Sequence, residues 1–244
     1  MFSFAELPWA GVTEMQIVPR IQQRAKLPKP SPCPDAVYDM MLACWKLDRT
    51  LRCTAQQLLS MLTTHMGTRG LDLLSLTWPD TDGAVAGNDD VIVDMSSAEA
   101  HARFADLEID PHTLVTVRQL GQGEYGSVVM AQWQRTPARR VDVAVKYLHD
   151  EAPEAQQQFA YEAKLLSSLS HHSIVRVLGV CFQSAPHCIV LELMPNGDLQ
   201  GYLDRHASEL VKQSGALVGV CCQVAEAVAY LADRNVVHRD LAAR

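Results

Sequence analysis

The chain has 244 residues, 48% of them hydrophobic, so it can bury a core and hold one or two domains. Its formal charge of −7 excludes a generally basic binder of nucleic acid or anionic membrane and leaves room only for a local basic patch. Seven cysteines without C-x-x-C spacing point to reduced, mostly buried thiols, as in the cytosol. No apolar run is expected to approach the ~20 residues of a membrane helix, and no basic-then-apolar leader opens the chain; an anchor elsewhere in a longer parent stays open.

Residues 1–64 are predicted helical. Thr13-Glu14-Met15-Gln16 and Thr54-Ala55-Gln56-Gln57 both fit the T-x-x-Q capping box. The first predicts a helix over 14–24, with Pro19 as a kink or early stop. The second predicts one over 55–65, with Leu58, Leu59 and Leu62 on one face. Between them Pro34 suits a first helical position, and Val37, Met40, Met41, Cys44 and Trp45 follow helical spacing. All three stripes read as core packing.

Residues 65–112 change character. Gly67, Gly70, Gly83 and Gly87 punctuate the stretch, and Asp72, Asp80, Asp82, Asp89, Asp90, Asp94 and Glu99 make it acidic. Apolar residues are sparse and poorly periodic, which predicts a mostly disordered linker with one short contact segment near Leu71–Trp78. It holds no tyrosine and so no phosphotyrosine docking point.

From 113 a folded pattern returns. Short β-rich runs, Leu114–Gln119, Ser127–Gln134 and Asp142–Leu148, precede a helical pattern over 154–169. Val175–Cys181 and Cys188–Leu193 read as two further strands. After Pro195-Asn196-Gly197 the chain turns helical, with Leu217, Val220, Cys221, Val224, Val228 and Leu231 as a 3.6-period stripe. Strands first and helices after predict an α+β fold, an antiparallel sheet lobe followed by a helical one.

Four motifs carry chemistry. Gly121-Gln122-Gly123-Glu124-Tyr125-Gly126-Ser127-Val128 has G-x-G-x-x-G-x-V spacing. A dinucleotide loop of that spacing leads straight into a helix, whereas here β-branched Val128 and Val129 follow, so the glycines read as a hairpin. Val143-Ala144-Val145-Lys146 places a lysine among apolar residues on the next strand, and Glu162 follows on a helix whose buried face is Phe159, Ala163 and Leu166. Ile189 to Leu199 runs from an apolar strand through a Pro/Gly hinge into an Asp-started helix. His238-Arg239-Asp240 follows the long stripe helix, with His238 assigned a structural role and Asp240 the candidate base.

In this order the four motifs resemble a eukaryotic protein kinase over residues 113–244: its small lobe and first large-lobe helices. Ala242 two residues after Asp240, within Leu241-Ala242-Ala243-Arg244, resembles the catalytic loop of receptor-type tyrosine kinases. The resemblance implies ATP as phosphoryl donor and Mg²⁺ as metal, with metal ligands, the loop Asn and an Asp-Phe-Gly motif, expected outside this chain. It implies catalytic roles for Lys146, Glu162 and Asp240. It implies nucleotide contacts from Leu120, Gly121, Gln122, Gly123, Glu124, Gly126, Val128, Ala144 and Lys146, with Leu191 gating the back pocket and Glu192 and Met194 offering hinge backbone groups.

Phe2-Ser3-Phe4-Ala5-Glu6-Leu7-Pro8-Trp9, Leu27-Pro28-Lys29-Pro30, Cys33-Pro34 and Cys44-Trp45-x-x-Asp48-x-x-x-Arg52 resemble the last helices of a tyrosine kinase domain, except that Arg49 and Cys53 stand where proline is frequent. In that family the Arg at position 52 pairs with the Glu of an Ala-Pro-Glu motif; no such motif precedes it here, so Arg52 is expected to be a charge awaiting a partner. The order is tail before head. The expectation is therefore a piece of a tandem-kinase protein: 1–64 the end of a first domain, 65–112 the linker, 113–244 the start of a second. A circular permutation fails on inventory.

The expected function is phosphoryl transfer from ATP to protein tyrosine by the complete parent, in cytosolic signalling or on the cytosolic side of a receptor, with no nucleic acid partner and no membrane segment in this chain. By itself the chain is expected to be inactive. The alternatives are a non-catalytic, pseudokinase-like nucleotide-binding scaffold and an incomplete gene model. The apolar surfaces of helices 1–64 and of the stripe helix, both without their usual partners, are candidates to pack on each other.

Overall fold

A computed structural model describes residues 9, 11–68, 105–123, 126–149, 152–210 and 214–242. The expected contact segment near Leu71–Trp78 and the Phe2–Pro8 stretch lie outside the described residues. The chain forms two compact units: the first combines the N-terminal helices with the segment after Pro195, and the second ends at Pro195.

In the first unit, α1 is Glu14–Gln22, α2 is Asp35–Cys44 and α3 is Ala55–Thr68. Thr54 and Gln57 close the predicted capping box before α3: the Thr54 N–H donates to Gln57 Oε1 at 2.8 Å and the Gln57 N–H to Thr54 Oγ1 at 3.2 Å. Helix α1 runs through Pro19 rather than stopping there, and ends at Gln22. Arg24, at φ 62°, takes the left-handed position that ends it, with N–H bonds from Arg24 to Ile21 O and from Ala25 to Arg20 O.

The same unit holds α5 (Leu199–Leu210) and α6 (Ser214–Asp233). The Asp198 carboxylate accepts the Gly201 N–H at 2.7 Å, which caps α5. Asn235, at φ 56°, ends α6 with a Schellman pair of bonds, Val236 N–H to Leu231 O and Asn235 N–H to Ala232 O. Leu217, Val218, Cys222 and Ala225 of α6 form one core with Val37 and Met40 of α2 and Leu62 and Met66 of α3. Of the surfaces without usual partners, those of α2, α3 and α6 thus pack together, whereas Met15, Val18 and Ile21 of α1 stay exposed. One expectation is corrected: Gly215–Asp233 spans 19 residues at mean hydropathy 1.6, long and apolar enough to cross a membrane. Its burial in this core is the ordinary reason for such a composition.

The second unit is a five-stranded antiparallel sheet with one helix. The strands are β1 (Leu114–Gly123), β2 (Gly126–Thr136), β3 (Arg139–Leu148), β4 (Val177–Cys181) and β5 (Cys188–Glu192), and α4 is Pro153–Ser168. They stand in the order β1-β2-β3-β5-β4. Alternation sorts the side chains. Val129, Ala131, Val143, Val145, Cys188 and Val190 fill one core. Ile189 and Leu191, on the other face, pack with Phe159, Ala163 and Leu166 of α4. Pro153 at the first position and Glu154 in the first turn suit the start of α4.

The stretch predicted as a linker is ordered at both described ends. His65–Thr68 completes α3. Leu107–Ile109 bridges β4 in parallel, through Ile109 N–H to Val180 O and Val180 N–H to Leu107 O, both at 2.8 Å. Glu108 accepts the N–H groups of Phe182 and Gln183, both at 2.8 Å. Composition hid this anchor, because a single carboxylate and two apolar neighbours have no periodicity to detect.

Candidate active site

The sheet of the second unit assembles most of the predicted residues by register. Lys146 pairs with Val128 on one side and Ile189 on the other, and Ala144 pairs with Met130 and Leu191. Directly opposed residues share a face, so Val128, Ala144, Lys146 and Leu191 lie on the face that carries α4. Lys146 reaches that helix. Its Nζ lies 2.6 Å from Glu162 Oε1 and 2.8 Å from Oε2, a two-oxygen grip on one carboxylate. The Phe159 ring sits beneath the ammonium, 5.7 Å from its centroid to Nζ. Lys146 keeps 29% of its side-chain surface open and Glu162 42%, so the pair is accessible to a ligand.

Helical spacing explains the meeting. Phe159 and Ala163 bury the inner face of α4, and Glu162, adjacent to Ala163, is carried to its margin. The lysine is placed by strand alternation, between buried Val145 below and half-buried Tyr147 above.

The glycine-rich segment is a hairpin, as the following valines predicted. Gly121 pairs with Val128 and Gly123 with Gly126 across β1 and β2; Glu124 lies outside the described residues. Two glycines have different reasons. A Cβ on Gly126 would lie 2.0 Å from the Tyr147 carbonyl oxygen, so the β2–β3 approach requires glycine. A Cβ on Gly121 would meet nothing within 4 Å, so the open space there is available to a ligand rather than demanded by the fold. Leu120 and Gln122 are exposed beside it, and the Gln119 amide donates to Gln122 Oε1 at 3.4 Å.

At the other end, Leu191 is half-buried within the α4 core and Met194 is 45% exposed. The Glu192 side chain accepts the Arg176 N–H at 2.8 Å, and its second oxygen is 3.7 Å from the Arg176 guanidinium. Sequence reasoning missed this tether, as it missed the Ser127 Oγ to His149 Nε2 bond of 2.9 Å beside the hairpin. Opposite charges at the ends of two predicted neighbouring strands were the available signal for the first.

Asp240 belongs to the first unit, where it is exposed and its N–H donates to His238 Nδ1 at 3.3 Å. Arg239 between them takes φ 67°. Arg52 is exposed, and its Nε donates to Lys46 O at 2.7 Å and its Nη2 to Leu47 O at 3.3 Å, bonds that orient the guanidinium without neutralising its charge. Among the described residues no three His, Cys, Asp or Glu side chains converge as a metal site, so no Mg²⁺ position is assigned.

Comparison with known proteins gives this geometry its context. Tyrosine-protein kinase Btk of Drosophila melanogaster is 38% identical over 137 residues, which is 56% of this chain and 17% of that protein. Human tyrosine-protein kinase TXK is 36% identical over 147 residues, 60% of this chain and 27% of TXK. The chicken BDNF/NT-3 growth factors receptor is 35% identical over 148 residues, 56% of this chain and 18% of the receptor. The chain thus spans little more than a quarter of these relatives at most. Residues 1–62 and 114–244 match the family of protein tyrosine and serine/threonine kinases, and the matched residues take in the N-terminal helices, the sheet, the Lys146–Glu162 pair and Asp240. The chain belongs to the protein tyrosine and serine/threonine kinase family.

Proposed function

We propose that this chain is part of a protein tyrosine kinase whose complete form transfers the γ-phosphoryl group of ATP to protein tyrosine. The observation that carries the reading is the Lys146–Glu162 pair beside the glycine hairpin. Lys146 presents a compact positive charge to phosphate oxygens, and Glu162 holds it there. The hairpin backbone near Gly121 approaches the phosphates without a Cβ in the way. Val128 and Ala144 offer apolar surface to the adenine, and hinge backbone groups at Glu192 and Met194 bond its edge.

In the transfer the tyrosine oxygen forms a bond to the γ-phosphorus as the bond to the β-phosphate oxygen breaks. ADP leaves, and Asp240 accepts the hydroxyl proton. A carboxylate is a weak base, so positioning and charge neutralisation supply most of the acceleration. Mg²⁺ would neutralise phosphate charge when bound; the residues described here do not provide its site, and no step is assigned to it. Residues 1–64 are proposed to end one kinase domain and 113–244 to begin another, in cytosolic signalling or behind a receptor.

Two measurements test this. The purified chain with Mg-ATP and a tyrosine polymer is expected to incorporate no phosphate. ATP is expected to raise the melting temperature of the wild type and not of K146M. Robust turnover would refute the predicted inactivity of the chain, and an equal ATP shift in both proteins would refute the site. Binding without turnover in a chain extended through Asp-Phe-Gly would favour the non-catalytic scaffold instead.

A further inference from the structure

We propose that Cys44 and Cys53 form a reversible thiol pair that peroxide oxidises to a disulfide. Their Sγ atoms lie 3.3 Å apart, in contact but unbonded. Nine positions separate them in sequence, and the loop between them is held by its own hydrogen bonds. The Asp48 carboxylate accepts from the Thr50 N–H at 2.9 Å and from its hydroxyl at 2.7 Å. Arg52 ties the loop back to the carbonyls of Lys46 and Leu47. The thiols are therefore brought together by a preformed loop, which lowers the entropy lost in joining them.

Contact and access together single out this pair. Cys33, Cys181, Cys188 and Cys222 are buried, whereas Cys44, Cys53 and Cys221 are half-buried, and of these three Cys44 and Cys53 are the two whose sulfurs touch. Cys44 also lines an open groove of about 700 Å³ with Trp45, Leu47 and Leu51, which brings solvent up to the touching pair. Burial and the hydrogen bond with Cys53 push the Cys44 thiol up to about 12, which disfavours its thiolate and leaves the first attack to Cys53.

The chemistry balances in two steps. The Cys53 thiolate attacks a peroxide oxygen: an S–O bond forms, the O–O bond breaks and hydroxide leaves. The Cys44 sulfur then attacks the sulfenic sulfur: the S–S bond forms, the S–O bond breaks, and the leaving hydroxide takes the Cys44 proton as water. Two thiols are oxidised and one peroxide is reduced to two waters.

The test uses the whole reduced chain. It is treated with a small excess of hydrogen peroxide, its remaining thiols are alkylated, and the digest is read by mass spectrometry. The expected product is a Cys44–Cys53 linked peptide pair, lighter by two hydrogens, which dithiothreitol restores, while the other five cysteines stay reduced. C53S is expected to lose the cross-link and to leave Cys44 reduced. Recovery of Cys44 and Cys53 as separately oxidised thiols, or linked to other cysteines, overturns the proposal. A trivalent arsenical on the untreated wild type does not depend on the variant folding: one arsenic bridging both sulfurs is expected, and its absence from this pair counts against them.

Discussion

Gln56, on the first turn of α3, donates from its Nε2 to Asp233 Oδ1 at 2.5 Å and to Ala229 O at 3.4 Å, at the far end of α6. These partners are 177 and 173 positions away. Below them Leu62 and Met66 of α3 are 3% and 1% exposed against Leu217, Val218 and Cys222. Helices α2 and α3 are therefore structural members of the helical unit. L62A and M66A are each expected to destabilise it by about 2–5 kcal/mol, the usual range for emptying such a site. Urea unfolding followed through Trp45 fluorescence would measure this, and unchanged midpoints would contradict the packing.

The two glycines predict opposite outcomes. G126A forces a methyl group into the Tyr147 carbonyl and is expected to destabilise the sheet by about 1–3 kcal/mol or more, as overpacking does. G121A meets no protein atom and is expected to leave the melting temperature nearly unchanged. If phosphates approach the hairpin there, G121A nonetheless weakens ATP binding. Calorimetric melting with and without nucleotide separates the two effects.

E162Q probes the charge pair without changing its shape. The pair is well exposed, so its contribution to folding is limited to about 1 kcal/mol and screened by salt. The melting temperature should fall by only a few degrees while ATP affinity falls about tenfold or more, with lysine orientation lost. Titration calorimetry at low and moderate salt would check this, and unchanged affinity would place the nucleotide elsewhere.

Three thiols of the helical unit set a pH dependence. Burial foremost raises Cys44 to about 12, and Cys221 and Cys222 each to about 11. Their folded values exceed the unfolded value of about 8.5, so the unfolded chain loses these protons first. Their contribution is whole below that pH and is lost as pH rises toward 11. The melting temperature should decline from pH 8 to 10, less steeply in C221A; identical slopes in wild type and C221A would contradict the assignment.

The fold and the meeting of Lys146 with Glu162 were legible where a period was available. The T-x-x-Q box at Thr54, the stripe of α6 and the alternation around Lys146 each repeat a local geometry, and repetition can be read in one dimension. Asp198 at the start of α5 was legible for a similar reason, as capping chemistry is local. Contacts that join distant single residues were not. Glu108 under Phe182, Arg176 on Glu192 and Ser127 on His149 each depend on one polar atom meeting another after the chain has folded. The tethering of Arg52 was not legible because its acceptors are main-chain carbonyls of its own loop, which every sequence possesses.

The bridge of Leu107–Ile109 onto β4 gives the sheet two unlike margins. On one side the chain itself claims the carbonyl and amide groups of Val180. On the opposite rim β1 carries Val115 and Val117, 62% and 52% exposed. Strand-to-strand association between molecules, and the aggregation that follows from it, would begin at β1, and a lysine at either valine is the natural guard against it.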